Sequence, residues 1–270
     1  MEIKGIQKVT LLDYPGKVAC TVFTGGCNFR CPFCQNSDLV ISPALTPTIA
    51  GEEIFGFLRK RRGLLDAICI SGGEPLLQPD IAEFIMRCRE MGYLVKLDTN
   101  GSFPDLLQRL IDAKLLNYIA MDIKTAPERY SVLTGVRNID IGPVLASVDI
   151  IRNSGVEHEF RTTVVNELHS PADFERIGQW LKGEERYFLQ LFVDSGALIG
   201  TGLSPASEGK CANTFQSFKN IFQPQSCAEY KRRLLFFSGY SMHQFVLTCL
   251  QPRDILYAEF MILRINIGGY

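Results

Sequence analysis

A chain of 270 residues with 46% hydrophobic and 21% charged residues has the make-up of a globular protein, long enough for one α/β barrel or two smaller domains. A formal net charge of −1 excludes a global field that would draw nucleic acid or an anionic membrane surface. No run approaches the ~18 apolar residues of a spanning helix and residues 1–17 hold no apolar signal core, so the odd count of nine cysteines predicts reduced thiols in the cytoplasm, some of them metal ligands.

The first predicted strand covers 18–24 and runs into Gly25-Gly26 and the loop Cys27-Asn28-Phe29-Arg30-Cys31-Pro32-Phe33-Cys34. Thiolates are soft ligands suited to iron–sulfur clusters or zinc. Three of them within eight residues would cap three irons and leave a fourth open, which is what a catalytic metal centre needs. The alternative is a zinc knuckle completed by Cys20 or another residue. Cys20 alternates with Val18 and Val22 along the strand, so packing in a layer suits it better.

A helix is predicted from about Thr46 or Thr48 to Lys60-Arg61-Arg62, where the cations suit the negative end of the dipole and Gly63 suits a left-handed cap. The strand at 67–71 ends in Ser71-Gly72-Gly73-Glu74-Pro75, two glycines that let backbone approach a ligand and a carboxylate able to accept from an ammonium group. By itself this is no more than a strand-to-helix turn. Ile81, Phe84, Ile85 and Cys88 then fall on one helical face, and Cys69 and Cys88 read as core residues. A third strand, at 93–97, leads into Asp98-Thr99-Asn100-Gly101, and a fourth, at 118–123, contains Asp122 and leads into Lys124. Asp98 and Asp122 suit ribose hydroxyls or a cation and Lys124 a carboxylate, although turn chemistry and solvated charge explain the same residues. Val144, Leu145, Val148 and Ile151 mark a further helix, followed by strands at 157–165 and 187–193.

Six strand–helix units of roughly 29 residues match the size of a βαβ unit. Their alternation predicts an α/β fold with a parallel sheet curled into an open part-barrel, a partial (βα)6 TIM-type barrel. Position then decides between the bland and the functional readings. The cysteine loop, Gly-Gly-Glu, Asp98 and Asp122 each fall at the C-terminal end of a different strand, the rim that carries active sites in such barrels. They read as one site.

The stretches LLDYPGKVACTVFTGGCNFRCPFCQN, ISGGEPLLQPD, VKLDTNG, MDIKT and FRTTVV, in this order, resemble the radical S-adenosylmethionine superfamily. Within it they resemble the activating enzymes of anaerobic glycyl-radical enzymes, most closely those of anaerobic ribonucleoside-triphosphate reductase and more distantly those of pyruvate formate-lyase. The resemblance spans roughly residues 6–203. It implies a [4Fe–4S] cluster on Cys27, Cys31 and Cys34, with Phe33 against the adenine of S-adenosylmethionine and Gly72, Gly73 and Glu74 at its amino group. It also places Asp98, Asp122, Lys124 and Arg161 near the ribose and carboxylate end. Gln35 stands where many relatives have His.

The activity so implied is reductive cleavage of S-adenosylmethionine and formation of a glycyl radical on an anaerobic ribonucleotide reductase, with flavodoxin or ferredoxin as electron donor. The competing expectations are an enzyme acting on a small molecule such as a deazapurine precursor, and a non-catalytic zinc or iron–sulfur module. Arg30 and residues 37–43 are candidate partner contacts, although solvated surface is the better reading of each. Residues 1–203 form the expected barrel domain. Residues 204–270 form a polar linker and a C-terminal extension for which the pattern yields no fold.

Overall fold

The computed structural model describes residues 1–184 and 186–206. In chain order these form β1 (Ile3–Thr10), β2 (Ala19–Thr24), α1 (Ser37–Ile41), α2 (Gly51–Lys60), β3 (Ala67–Gly72), α3 (Ile81–Glu90) and β4 (Leu94–Thr99). They continue with α4 (Pro104–Asp112), β5 (Tyr118–Asp122), α5 (Tyr130–Thr134), α6 (Gly142–Asn153), β6 (Glu157–Val164), α7 (Pro171–Trp180) and β7 (Tyr187–Leu191). One sheet takes these strands in sequential order. β2 to β7 run parallel, each to the next, with helices between them, and the result is the expected partial TIM-type barrel.

Two details differ from expectation. The sheet has a seventh strand, β1, antiparallel to β2. Its ladder shifts register between Ile3 and Gly5 and again between Gln7 and Thr10, and only Ile3 and Thr10 are buried, so the segment carries no period-2 pattern. The second difference is that α2 begins at Gly51 rather than near Thr46–Thr48. The intervening residues cover the edge of β1: Ile49 N–H donates to Ile3 O at 2.8 Å, and Lys4 Nζ donates to Thr46 O at 3.2 Å and to Thr48 Oγ1 at 2.8 Å. The helix stops at Lys60 as expected, with Arg59 and Lys60 in the last turn, but Arg61 is its C-cap and Gly63, at φ +79°, turns the chain two residues further on.

Alternation along the parallel strands separates two layers. On the helix side Val22, Ile68, Ile70, Val95, Leu97 and Ile119 join the buried faces of the helices in one continuous core, which includes Cys20 and Cys88. At about 1.5–3 kcal/mol for each large aliphatic side chain, this layer supplies most of the stability. On the lumen side Ala19, Ala67, Cys69 and Tyr118 form a small cluster closed from below by Tyr14. The loop between β1 and β2 plugs that lower end, since Asp13 O accepts from Lys96 Nζ at 2.6 Å and Asp13 Oδ2 from Thr21 Oγ1 at 2.5 Å. Burial lifts the Cys20 thiol to about 12 and that of Cys69 well above its ordinary value, so both are inert packing residues.

α7 is capped by Ser170 and Asp173 in a reciprocal capping box, with Pro171 at its start. Among the described residues no helix is long and apolar enough to cross a membrane. The C-terminal extension lies outside the described residues from 207 onward, as do Cys211, Cys227 and Cys249.

Candidate active site

The cysteine loop leaves the C-terminal end of β2 and is fixed by backbone contacts with distant segments. Gly26 O accepts from Glu74 N–H at 2.8 Å, and Thr24 O accepts from Gly73 N–H at 2.9 Å. Gly26 N–H donates to Leu39 O at 2.8 Å, Arg30 N–H to Thr134 O at 2.7 Å, and Gly200 N–H to Pro32 O at 2.7 Å. The glycines make this approach possible. A Cβ on Gly73 would lie 1.8 Å from Gly26 O, and one on Gly72, at φ +119°, 2.3 Å from Thr24 N. The Gly-Gly-Glu turn and the cysteine loop are thus in direct backbone contact.

Cys31 is buried, and Cys27 and Cys34 are half-buried. Burial raises the thiols of Cys27 and Cys31, the latter to about 12, while Lys124 pulls against it. Soft thiolates of this kind carry charge stably only when a metal replaces the proton. The three do not converge on one point: among the described residues no three His, Cys, Asp or Glu side chains could share a single ion. Capping separate irons requires no such convergence. Cys20 lies four residues before the end of β2, ~13 Å down the strand at ~3.3 Å per residue, and takes no part.

Glu74 is fully buried, and burial lifts its carboxyl to about 7 against the pull of its hydrogen bonds. Its Oε1 accepts from Leu76 N–H at 3.1 Å and Thr99 Oγ1 at 2.8 Å, and its Oε2 from Asn100 N–H at 2.7 Å. The carboxylate expected to meet an ammonium group ties the turn after β3 to the end of β4.

Inside the barrel mouth β4, β5 and β6 carry an alternating set of charges. Arg161 NH2 lies 2.9 Å from Asp122 Oδ1 and 3.5 Å from Asp98 Oδ2, and Lys124 Nζ lies 3.1 Å from Asp122 Oδ2. Beneath them Lys96 Nζ lies 3.2 Å from Asp98 Oδ1 and 3.5 Å from Glu159 Oε1, and Tyr118 OH donates to Glu159 Oε2 at 2.9 Å. Burial would raise Asp122, but Arg161 and Lys124 bring it down to about 2. Lys124 is raised in turn by Asp122 and Cys31 in spite of its burial. The buried Asp98 Oδ1 has no hydrogen bond: the ammonium of Lys96 stands beside it and donates to Asp13 O. An orphaned acceptor, a glycine cradle and three soft donors on one rim fit a cluster and a small zwitterionic cofactor.

Phe33 is buried, its ring edge-on to His169 with centroids 6.4 Å apart. His169 stacks on Phe174 at 5.5 Å, accepts from Val165 N–H through Nδ1 at 3.1 Å, and meets Lys124 O through Nε2 at 2.9 Å. It joins the ends of β5 and β6, the start of α7 and the cysteine loop. His169, Lys96, Glu159 and the Asn100 side chain are members of this constellation that sequence reasoning did not name. Lys96 and Glu159 carried a legible signal, each lying two positions before a named residue on the same strand face. His169 and Asn100 carried none, because their contacts are tertiary.

The chain matches the Radical SAM superfamily model over residues 21–181. It is 34% identical over 202 residues to a provisionally named glycyl-radical enzyme activating enzyme of Methanocaldococcus jannaschii, covering 72% of this chain and 81% of that protein. It is 32% identical over 194 residues to the pyruvate formate-lyase-activating enzyme of Listeria monocytogenes, covering 67% and 75%. A solved structure of TYW1 with a lysine-pyruvate adduct bound shares the fold, with a TM-score of 0.55 at 12% identity over 77% of this chain and 76% of that one. Such membership implies an iron–sulfur cluster and S-adenosylmethionine. With the three cysteines and the glycine turn meeting on one rim, this chain belongs to the radical S-adenosylmethionine superfamily and is a radical S-adenosylmethionine enzyme.

Proposed function

We propose that the protein activates a glycyl-radical enzyme, with anaerobic ribonucleotide reductase as its target and flavodoxin or ferredoxin as its electron donor. Cys27, Cys31 and Cys34 hold a [4Fe–4S] cluster on this reading. Held by these residues, a reduced cluster would supply the electron for reductive cleavage of S-adenosylmethionine, the chemistry that would remove a hydrogen atom from a glycine of the partner. The observation that supports the reading is the backbone contact between the cysteine loop and the Gly72-Gly73-Glu74 turn, which brings the two motifs together at adjoining strand ends. The activase names of the relatives that cover most of the chain support the choice of target class.

This chain's own residues bind, orient and desolvate. Lys124 offers the cofactor carboxylate a cation oriented by Asp122. Asp98 stands at the ribose end on this reading, its Oδ1 anchored from beneath by Lys96, and Arg161 bridges Asp98 and Asp122 so that neither carboxylate swings away. Gly72 O is held by Asn36 Nδ2 and Gly73 N–H by Thr24 O, so what the two glycines give the amino end is a turn without side chains. Phe33, backed by His169, gives the adenine a rigid apolar side.

The test is anaerobic reconstitution, followed by incubation with reductant, S-adenosylmethionine and the candidate reductase. Electron paramagnetic resonance should show a glycyl-radical doublet, and Cys31→Ala should abolish 5′-deoxyadenosine release. Zinc without iron and acid-labile sulfide would sink the cluster assignment. Turnover of a deazapurine precursor with no radical on the reductase would replace the activase reading by a small-molecule one.

A further inference from the structure

We infer that Asn100 is a positioning residue that tunes the reduction potential of the metal centre through a hydrogen bond from its side-chain amide to Cys27 Sγ. This rests on the reading of Cys27 as a cluster ligand and goes beyond it, because Asn100 ligates nothing. Its Nδ2 stands 3.8 Å from Cys27 Sγ and 2.9 Å from Asn28 Oδ1.

The amide's orientation follows from its partners. Asn100 Oδ1 accepts from Ser102 N–H at 2.9 Å, and a backbone N–H can only donate. The oxygen therefore faces Ser102, and the NH2 faces Asn28 and the sulfur. Ser102 Oγ also donates to Asn100 Oδ1, at 2.5 Å, and Asn28 Nδ2 donates to Ser102 Oγ at 2.9 Å. Asn28, Ser102 and Asn100 thus form a closed ring in which each donor and acceptor has one consistent sense. The main chain of Asn100 is pinned as well, by its N–H on the buried carboxylate of Glu74. One amide hydrogen is used on Asn28, and the second is left for the sulfur.

Cys27 Sγ receives a second donor, Phe29 N–H at 3.4 Å. A metal-bound thiolate gains negative charge when the centre takes one electron from an external one-electron donor. Donors aimed at it favour that reduced state and so raise the potential. No proton moves and no bond changes at Asn100. Asn100 is itself buried, where a hydrogen bond is stronger than in water, and a leucine of similar size would occupy the amide's place.

The full chain, reconstituted anaerobically and free of S-adenosylmethionine, would be titrated with dithionite under paramagnetic-resonance detection, with iron and sulfide measured on the same samples. Asn100→Leu should keep its iron while its midpoint moves negative. At the wild-type midpoint its reduced-to-oxidised ratio should fall about tenfold, equivalent to 59 mV for a one-electron couple. Asn100→Asp keeps the size and the acceptor for Ser102 but presents oxygen to the sulfur, and should move further in the same direction. Full iron content with an unchanged midpoint in both variants would overturn the inference and leave Cys27 as a ligand. Loss of iron from both would overturn it in favour of a purely structural role. Wild-type protein that takes up no iron or sulfide would remove the reading of Cys27 itself.

Discussion

Single residues matter most here where they are smallest. Gly73 has no room for a methyl group, since the atom in the way is the carbonyl oxygen of Gly26, which cannot rotate aside as a side chain would. Gly73→Ala therefore has to push the cysteine loop off the turn and break the bond from Glu74 N–H to Gly26 O. Overpacking of this kind costs about 1–3 kcal/mol. For a domain of this size each kcal/mol lowers the thermal midpoint by about 2–4 °C. Gly155→Ala is the control for a backbone penalty alone: its φ of +70° disfavours a side chain, which the backbone of Gly73 does not, but nothing lies within 4 Å of the added carbon. We expect both variants to lose some thermal stability and only Gly73→Ala to lose more than half of its reconstituted iron. Equal iron content in the two would mean that the close approach of the two loops is incidental to the metal site.

At the scale of elements, two histidines join strands to helices and titrate in opposite senses. His158 on β6 has an acceptor at each nitrogen, Val156 O at 2.9 Å and Glu184 Oε2 at 3.0 Å, so the ring is best satisfied as a cation. Burial would lower it, but Glu184 and the Val156 carbonyl raise it overall, while Arg186 opposes them. His169 has a donor at Nδ1 and an acceptor at Nε2 and fits only as the neutral ring, and burial lowers it. The signs follow from linkage. The stabilisation from His158 is full below the unfolded value of ~6.5 and fades as pH rises through its raised folded value. That from His169 is full above ~6.5 and fades as pH falls toward its lowered folded value. The thermal midpoint should therefore peak near neutrality. His169→Gln should flatten the acid limb and His158→Gln the alkaline limb, as measured by thermal unfolding from pH 5 to 8.5. Unchanged limbs would show that neither ring governs how its strand is held.

For the molecule as a whole, what was legible in the sequence is what local pattern controls. The six parallel strands and the rim position of each motif follow from apolar runs that stop at Gly-Gly, Gly-Gly-Glu or Asp-Thr-Asn-Gly. β1 was not legible because its shifted register erases alternation. Lys96 and Glu159 were legible only by their spacing from Asp98 and Arg161, because a charge in a strand otherwise reads as solvent-facing until the sheet curls and turns it into a lumen. The constraint on the cysteine loop was out of reach as well. It is held by residues 72–74 after β3, 100–102 after β4, 134–135 after α5 and 193–200 after β7, so its order depends on several units at once. This distribution yields the last prediction. Binding of a cluster at Cys27, Cys31 and Cys34 should stabilise these segments together by mass action. The strand amides of the helix-facing core, already exchanging by global unfolding, should gain only what the whole domain gains. Hydrogen exchange compared between apo and reconstituted protein should therefore show the largest new protection in 25–36 and, with it, in 72–76, 98–102, 132–136 and 193–200. Protection confined to 25–36 would mean that the loop binds its metal without drawing the rim together. The cofactor and metal sites would then be neighbours in space but not coupled in order.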